Sequence, residues 1–283
     1  MTIDSLPDLL IEPVVRAALA EDLGRAGDVT AALIDAEARM SAVFAARKPG
    51  VVSGLACARL AVLAMDPTAR FEAVVADGVA VGGGGNAILA RVEANARALL
   101  TAERTALNLL GRLSGVATLT RAYVDAVAGT KARITDTRKT TPGLRALEKY
   151  AVRCGGGINH RFGLDDAILI KDNHVAACGG VAEALRRAQA SAGHLTPIEV
   201  EVDSLAQLEQ ALPFAPAVIM LDNFSLEDLR RAVAIAGGRV RLEASGGVSL
   251  QTVRAIAETG VDVISVGALT HSAPVLDIGL DAA

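Results

Sequence analysis

Short apolar runs in the second half of this 283-residue chain end, one after another, in side chains that can bind or move charge. In chain order the ends read Asp136-Thr137-Arg138-Lys139, Lys171-Asp172-Asn173-His174, Glu199 with Glu201 and Asp203, Asp222-Asn223, Glu243-Ala244-Ser245-Gly246-Gly247 and Gly267-Ala268. A single charged strand end means little. Six in succession make a ring, because parallel α/β barrels bring their C-terminal strand ends to one face and build active sites there. The ring has two signs. From Lys131 to Lys171 there are nine Lys and Arg against four Asp and Glu, a local +5 that leaves −9 for the rest of a chain of net −4. A solvated basic helix accounts for Arg145, Lys149 and Arg153, but less well for Arg138, Lys139 and Lys171, which stand at predicted strand ends inside apolar runs. A compact cationic cluster without aromatic rings suits a small polyanion. Glu201 and Asp222, on the next two runs, suit a sugar diol or a magnesium ion with its shell of waters. Ser245-Gly246-Gly247 and Val266-Gly267-Ala268 are small enough to expose backbone N–H groups at helix N-termini, where barrels hold phosphate. Together they describe a site for an anion at one end, a ribose in the middle and a phosphate at the other.

The elements that must position these residues follow from periodicity. From residue 132 short β-branched runs (ARIT, AILI, PIEVEV, AVIML, VRLE, VDVISV) start at 132, 167, 197, 217, 240 and 261, with helix-like segments between them. That alternation predicts a parallel sheet with barrel-like spacing. Six strands can be placed; a closed eight-stranded barrel needs two more. The first third reads as mixed α and β. Residues 8–23 have helical periodicity, and 41–54 read as two short strands around the Lys48-Pro49-Gly50 turn. The run Gly82 to Gly85 reads as a flexible turn, since no Lys-Ser/Thr follows it as a phosphate loop requires. A long helix is expected from about Ala94 to Ala128, with a break near Gly111 or Gly115. At ~100° per residue Arg97, Thr101, Arg104 and Asn108 form one stripe on it, opposite Leu99, Ala106, Leu109, Leu110 and Leu113.

Composition narrows the class. Hydrophobic residues make up 52% of the chain but aromatics only 2%, so a large core is available and must be aliphatic. Nucleic-acid binding through stacked bases is disfavoured by that shortage and by the net charge of −4. Cys57, Cys154 and Cys178 lie far apart, which excludes a disulfide framework and the usual zinc spacings. The first residues lack the basic head and apolar run of a signal peptide, and no charge-free apolar stretch is long enough to span a bilayer. The expectation is a soluble cytoplasmic α/β protein.

The stretch DTRKTTPGLRALEKYAVRCGGGINHRFGLDDAILIKDNH resembles the signature of quinolinate phosphoribosyltransferases. EVEVD, MLDNF, EASGGVS and GVDVISVGALTHS, with EDLGRAGDVT and TAERTALNLLGRLSGVAT, resemble the same family in the same order, so the likeness spans nearly the whole chain. It implies an N-terminal α/β sandwich domain, residues 1–115 joined by the tail 272–283, followed by an open α/β barrel over residues 116–271. It implies that quinolinate and phosphoribosyl pyrophosphate become nicotinate mononucleotide, carbon dioxide and pyrophosphate, in the biosynthesis of NAD. Arg138, His160, Arg161 and Lys171 would hold quinolinate, with Thr137 a further substrate-binding residue, Lys139 near the phosphates and Glu201 and Asp222 near the ribose and Mg²⁺. Lys139, Lys171, Glu201 and Asp222 are the catalytic candidates. Ser245-Gly246-Gly247 and Val266-Gly267-Ala268 would take the 5-phosphate. Arg104 would reach the barrel of the neighbouring subunit in a homodimer, a higher oligomer being left open. His174 could instead cap the following helix, and a Schiff-base role for Lys171 needs a carbonyl substrate and a lowered pKa. A same-fold paralogue from molybdenum-uptake loci and a non-catalytic phosphosugar-binding protein are the alternatives; Lys171-Asp172-Asn173-His174 and the complete ring of charged strand ends weigh against them.

Overall fold

The computed structural model describes residues 4–82 and 86–283. Along the chain the elements are α1 (Asp8–Leu23), β1 (Arg39–Ala46), β2 (Gly50–Val51), α2 (Leu55–Met65), β3 (Arg70–Ala73), β4 (Ala80–Val81), β5 (Ala87–Asn95) and α3 (Ala96–Ala126). Then come β6 (Arg133–Thr135), α4 (Arg145–Cys154), β7 (Ile168–Ile170), α5 (Asp172–Cys178), α6 (Val181–Ser191), β8 (Ile198–Val202), α7 (Leu205–Ala211) and β9 (Val218–Asp222). The last are α8 (Leu226–Ala236), β10 (Arg241–Ser245), α9 (Val253–Ala257), β11 (Val263–Ser265), α10 (Ala268–His271) and β12 (Ile278–Ala282). Two compact units result: one of residues 1–121, 140–156 and 269–283, the other of 122–139 and 157–268.

The first unit is built on an antiparallel sheet of order β12-β1-β5-β3. The tail strand β12 pairs along β1, Ala42 facing Ala282 and Ala46 facing Ile278. The two strands expected around Lys48-Pro49-Gly50 form, but not as a hairpin: β1 lies in the main sheet, while β2 pairs with β4. Phe44 and Phe71 meet in its core with ring centroids 5.7 Å apart. Segment 140–156, which the sequence reading assigns to the barrel, clusters here because α4 buries Leu147, Tyr150, Ala151, Val152 and Cys154. Tyr150 and Cys154 pack with Val51 and Ala117.

The long helix α3 runs unbroken for 31 residues, past both glycines at which a break was expected. Those glycines serve close approach instead. A Cβ on Gly115 would stand 2.0 Å from the Pro274 carbonyl oxygen and one on Gly111 2.9 Å from that of Leu276. A glycine inside a helix costs about 1 kcal/mol against alanine, and here it lets the tail lie directly on the helix. Residues 83–85 of the glycine run fall outside the described residues.

The second unit is a parallel sheet of order β6-β11-β10-β9-β8-β7, each strand overlapping one of the six expected runs, with β9 and β10 extending past theirs to Asp222 and Ser245. β6 and β7 end the order, so the barrel is open. Period-2 alternation decides what faces where. On β8 Val200 and Val202 are buried at 0% and 1% exposure, so Glu199 and Glu201 share the other face. The fully buried Ile134, Leu185, Leu208, Ile219, Leu221 and Ile264 form the apolar packing between strands and helices.

Candidate functional site

The inward faces of the six strands close around a cavity of about 640 Å³ at their C-terminal ends. Thr137, Arg138, Lys139, His160, Arg161, Lys171, Glu201, Asp222, Ser245, Gly246 and Gly247 line it. Val266, Gly267 and Ala268 follow β11 directly but do not line the cavity, where Ser265 stands instead. Arg104 belongs to the other unit; its side chain is 71% exposed and pairs with Glu103 at 3.2 Å. On the same stripe of α3, Arg97 donates to the Ile34 carbonyl and Thr101 to Asp28.

One cationic segment is held by a device no strand pattern announces. Residues 157–161 form a bridge rather than a strand: the Ile158 amide donates to the Ile134 carbonyl at 2.9 Å, and Ile158 pairs with Thr135. Asp136, fully buried at the end of β6, accepts from the Asn159 side chain at 2.6 Å and from the His160 amide at 2.9 Å. Those bonds fix His160 and Arg161. The Arg161 guanidinium donates to the Ala167 carbonyl at 3.1 Å, while its Nε and that of Arg138 are buried without a hydrogen-bond partner. Burial, and then the neighbouring Arg138, lower the pKa of Arg161. Two crowded guanidiniums with unspent donors call for an anionic ligand that accepts several hydrogen bonds. Lys171 closes this end, 3.9 Å from Glu201, and its backbone amide donates to His174 Nδ1 at the start of α5.

His160 lines the cavity, yet both ring nitrogens are engaged within the protein. Nδ1 accepts the Arg161 amide at 2.8 Å, so the neutral ring carries its proton on Nε2, 2.9 Å from Glu199 and 3.7 Å from Glu243. This convergence of His160, Glu199 and Glu243 has the look of a metal centre. The tautomer argues otherwise, since a protonated Nε2 has no lone pair to offer a cation. The three form instead a crowded cluster of two buried carboxylates around one imidazole. Burial, and then the charge of Glu199, push Glu243 up from the usual carboxylate range.

At the other end Glu201 and Asp222 extend from adjacent strands. Glu201 is pushed up, first by burial and then, against the relief given by Lys171, by Asp222 and other carboxylates. Hard oxygen donors that repel one another fit a magnesium ion or a pair of sugar hydroxyls. Asn223 and Glu243, read in the sequence as strand-end residues but given no role, also line the cavity, as do Leu169, Met220 and Ser265, which were not expected there. Alternation held the signal for two of them: Glu243 must share a face with Ser245, and Met220 with Asp222. None of the three cysteines lines the cavity, and burial pushes the Cys57 thiol up to about 12 and Cys154 up to about 11.

Comparison with known proteins now bears on this geometry. Residues 116–281 match the model of the quinolinate phosphoribosyl transferase C-terminal domain, and residues 28–114 that of the N-terminal domain. The chain belongs to the quinolinate phosphoribosyl transferase family. It is 51% identical over 276 residues, 94% of this chain and 95% of the other, to the nicotinate-nucleotide pyrophosphorylase [carboxylating] of Mycobacterium leprae. A probable enzyme of the same name from Bacillus subtilis is 44% identical, covering 92% of this chain and 89% of its own. Among solved structures, the nicotinate-nucleotide pyrophosphorylase of Francisella tularensis superposes with a TM-score of 0.94 at 41% identity, covering 100% of this chain and 99% of that one. The family fold is thus the one read from the sequence, a sheet domain followed by an open parallel barrel.

Proposed function

We propose that the barrel cavity transfers a phosphoribosyl group from phosphoribosyl pyrophosphate to the ring nitrogen of quinolinate, with loss of carbon dioxide and pyrophosphate, yielding nicotinate mononucleotide for NAD biosynthesis. The observation that carries this reading is the division of one cavity into a cationic end, Arg138, Arg161 and Lys171, and an end of carboxylates and glycines, Glu201, Asp222 and Ser245-Gly246-Gly247. A planar ring with two adjacent carboxylates matches the first; ribose and phosphate match the second. Lys139, at the rim beyond β6, faces the pyrophosphate.

The residues act chiefly by holding and by charge. Arg138, Arg161 and Lys171 orient the two ring carboxylates so that the nitrogen faces C1 of the sugar. As pyrophosphate departs, positive charge develops on the ribose, and Glu201 and Asp222 stabilise it. Mg²⁺, held by Glu201 and Asp222 directly or through water, would neutralise the leaving group. Once the nitrogen is alkylated the ring is cationic, the C2 carboxylate leaves as carbon dioxide with its electron pair stabilised beside N⁺, and C2 then takes up a proton from water. No covalent link to the protein is needed. His160, both nitrogens occupied, supports Arg161 and presents a ring edge to the cavity.

The exposed side chain of Arg104 supports a homodimer in which it completes the partner's basin. Among the described residues no helix is long and apolar enough to cross a membrane, which accords with a cytoplasmic enzyme. Incubating the purified protein with quinolinate, phosphoribosyl pyrophosphate and Mg²⁺ should release carbon dioxide and nicotinate mononucleotide in equal amounts. Binding of both substrates without turnover would instead favour a phosphosugar-binding protein, and turnover of a different acid a paralogue of other specificity.

A further inference from the structure

Asn223 stands just past Asp222 with φ +56, one of two non-glycine residues with positive φ among those described, the other being Ala215. A left-handed backbone costs most side chains about 1–2 kcal/mol, and asparagine tolerates it best after glycine. Strain of this kind at the rim of a site persists where the surroundings hold it. Here three contacts do so. The Asn223 amide donates to the Ser245 carbonyl at 2.9 Å, one step beyond the last ladder pair between β9 and β10. Its side-chain Nδ2 donates to Asp222 Oδ2 at 2.6 Å. Its Oδ1 lies 2.1 Å from where a Cβ on Gly246 would stand, with the Asn223 backbone nitrogen at 3.0 Å. Gly246, itself at φ +93, is therefore the residue that lets the asparagine amide lie flat on the loop.

From this geometry we infer that Asn223 is a positioning residue that clamps the Asp222 carboxylate to the Ser245-Gly246-Gly247 loop and thereby couples the ribose end of the cavity to its phosphate end. A carboxylate that already holds the amide hydrogen on one oxygen is restrained in rotation, so the direction of its other oxygen is favoured before ligand arrives. The same side chain packs against Gly246 while its backbone amide bonds Ser245, so both elements are ordered before ligand arrives. The inference rests on the reading that phosphoribosyl pyrophosphate occupies this end. It predicts the larger effect on that ligand, since Arg161 at the cationic end is positioned by other groups, Asp136 and His160.

The test is calorimetric titration of wild type, Asn223→Gly and Asn223→Asp with phosphoribosyl pyrophosphate and, separately, with quinolinate, beside steady-state kinetics. Glycine keeps φ +56 and the amide bond to Ser245 while removing the clamp, so the fold should survive. Aspartate tolerates the same backbone but turns the donor facing Asp222 into an acceptor. Both variants should weaken phosphoribosyl pyrophosphate roughly ten- to a hundredfold, as expected for losing a hydrogen bond to a charged group. Quinolinate binding and Tm should remain near wild type. A dissociation constant for phosphoribosyl pyrophosphate within twofold of wild type in Asn223→Gly overturns the clamp, and so does equal weakening of both ligands. A wild type that binds both ligands but forms no mononucleotide counts against the reaction proposed above, while the clamp is still judged on the binding data.

Discussion

Glu148 and Glu243 are both carboxylates hidden from water, at 0% and 3% exposure, yet their surroundings differ in kind. In the first unit Glu148 is saturated. Arg112 donates to Oε1 through Nε at 3.2 Å and through a second nitrogen at 2.8 Å, and Thr141 adds its amide and its hydroxyl. Arg112 in turn reaches the carbonyls of Thr270 and Ala273, binding the tail to the helices. In the barrel Glu243 faces another carboxylate, and its Oε1, with Glu199 Oε1 and the Nε atoms of Arg138 and Arg161, lacks a hydrogen-bond partner. Among the described residues only Ser53 Oγ joins them as a buried side-chain atom of that kind. A buried ionic group that stabilises is fully paired, because desolvation otherwise exceeds the attraction. Arg138, Arg161 and Glu243 line the barrel cavity, and unpaired groups gathered there mark where the fold gives up stability to bind something else.

The strongest way to break this comparison is at Glu148. Glu148→Ala leaves the Arg112 guanidinium buried beside an absent partner and should cost about 3–5 kcal/mol of unfolding free energy. Urea denaturation measures it, and a loss under about 1 kcal/mol would place Glu148 in the same class as Glu243. Next in size is the cationic end. Arg138→Ala should weaken quinolinate by about 1.5–3 kcal/mol, one to two powers of ten, and leave phosphoribosyl pyrophosphate binding largely intact. Asp222→Ala should do the reverse or lower turnover. Nicotinic acid, lacking the C2 carboxylate, should be a correspondingly poor substrate; similar turnover of the two acids would falsify the two-carboxylate match.

A smaller effect, of opposite sign, sharpens the contrast. Because burial raises Glu243 above its unfolded pKa, the folded state holds its proton after the unfolded chain has lost one. That contribution to stability is complete below the unfolded value and is lost as pH rises through the raised folded one. Glu243→Gln should thus raise Tm near pH 8 and gain little near pH 4, read by thermal scans across pH; an unchanged pH dependence would mean the cluster carries no strain. The smallest stability effect is expected at Arg104. Arg104→Ala should shift unfolding by less than ~0.5 kcal/mol while abolishing activity. Mixed with Lys171→Ala under subunit exchange, it should recover toward half the wild-type rate per heterodimer, since one composite site then carries both defects and the other none. Activity that stays at background after verified exchange rules out the shared site.

The sequence by itself determined the six parallel strands, the long helix and the residues at the C-terminal strand ends. The reason is physical: strand period 2 and helix period 3.6 are local, and a parallel sheet must deliver its C-terminal ends to one face. The likeness in DTRKTT…KDNH supplied the substrate. Other features were decided only by tertiary structure, since each depends on groups far apart in the chain. Asp136 gathers Asn159 and His160 across more than twenty residues, and the Arg161 amide and Glu199 engage the two ring nitrogens of His160. The helix glycines read as breaks until the tail at Pro274 is laid against them, and the strand around Gly50 finds β4 rather than its neighbour in sequence. Asn223 looks like any polar residue after a strand; only the approach of Gly246 from the next strand turns it into a clamp. Pairing, satisfaction and crowding of this kind are sums over distant contacts, and no local pattern encodes them.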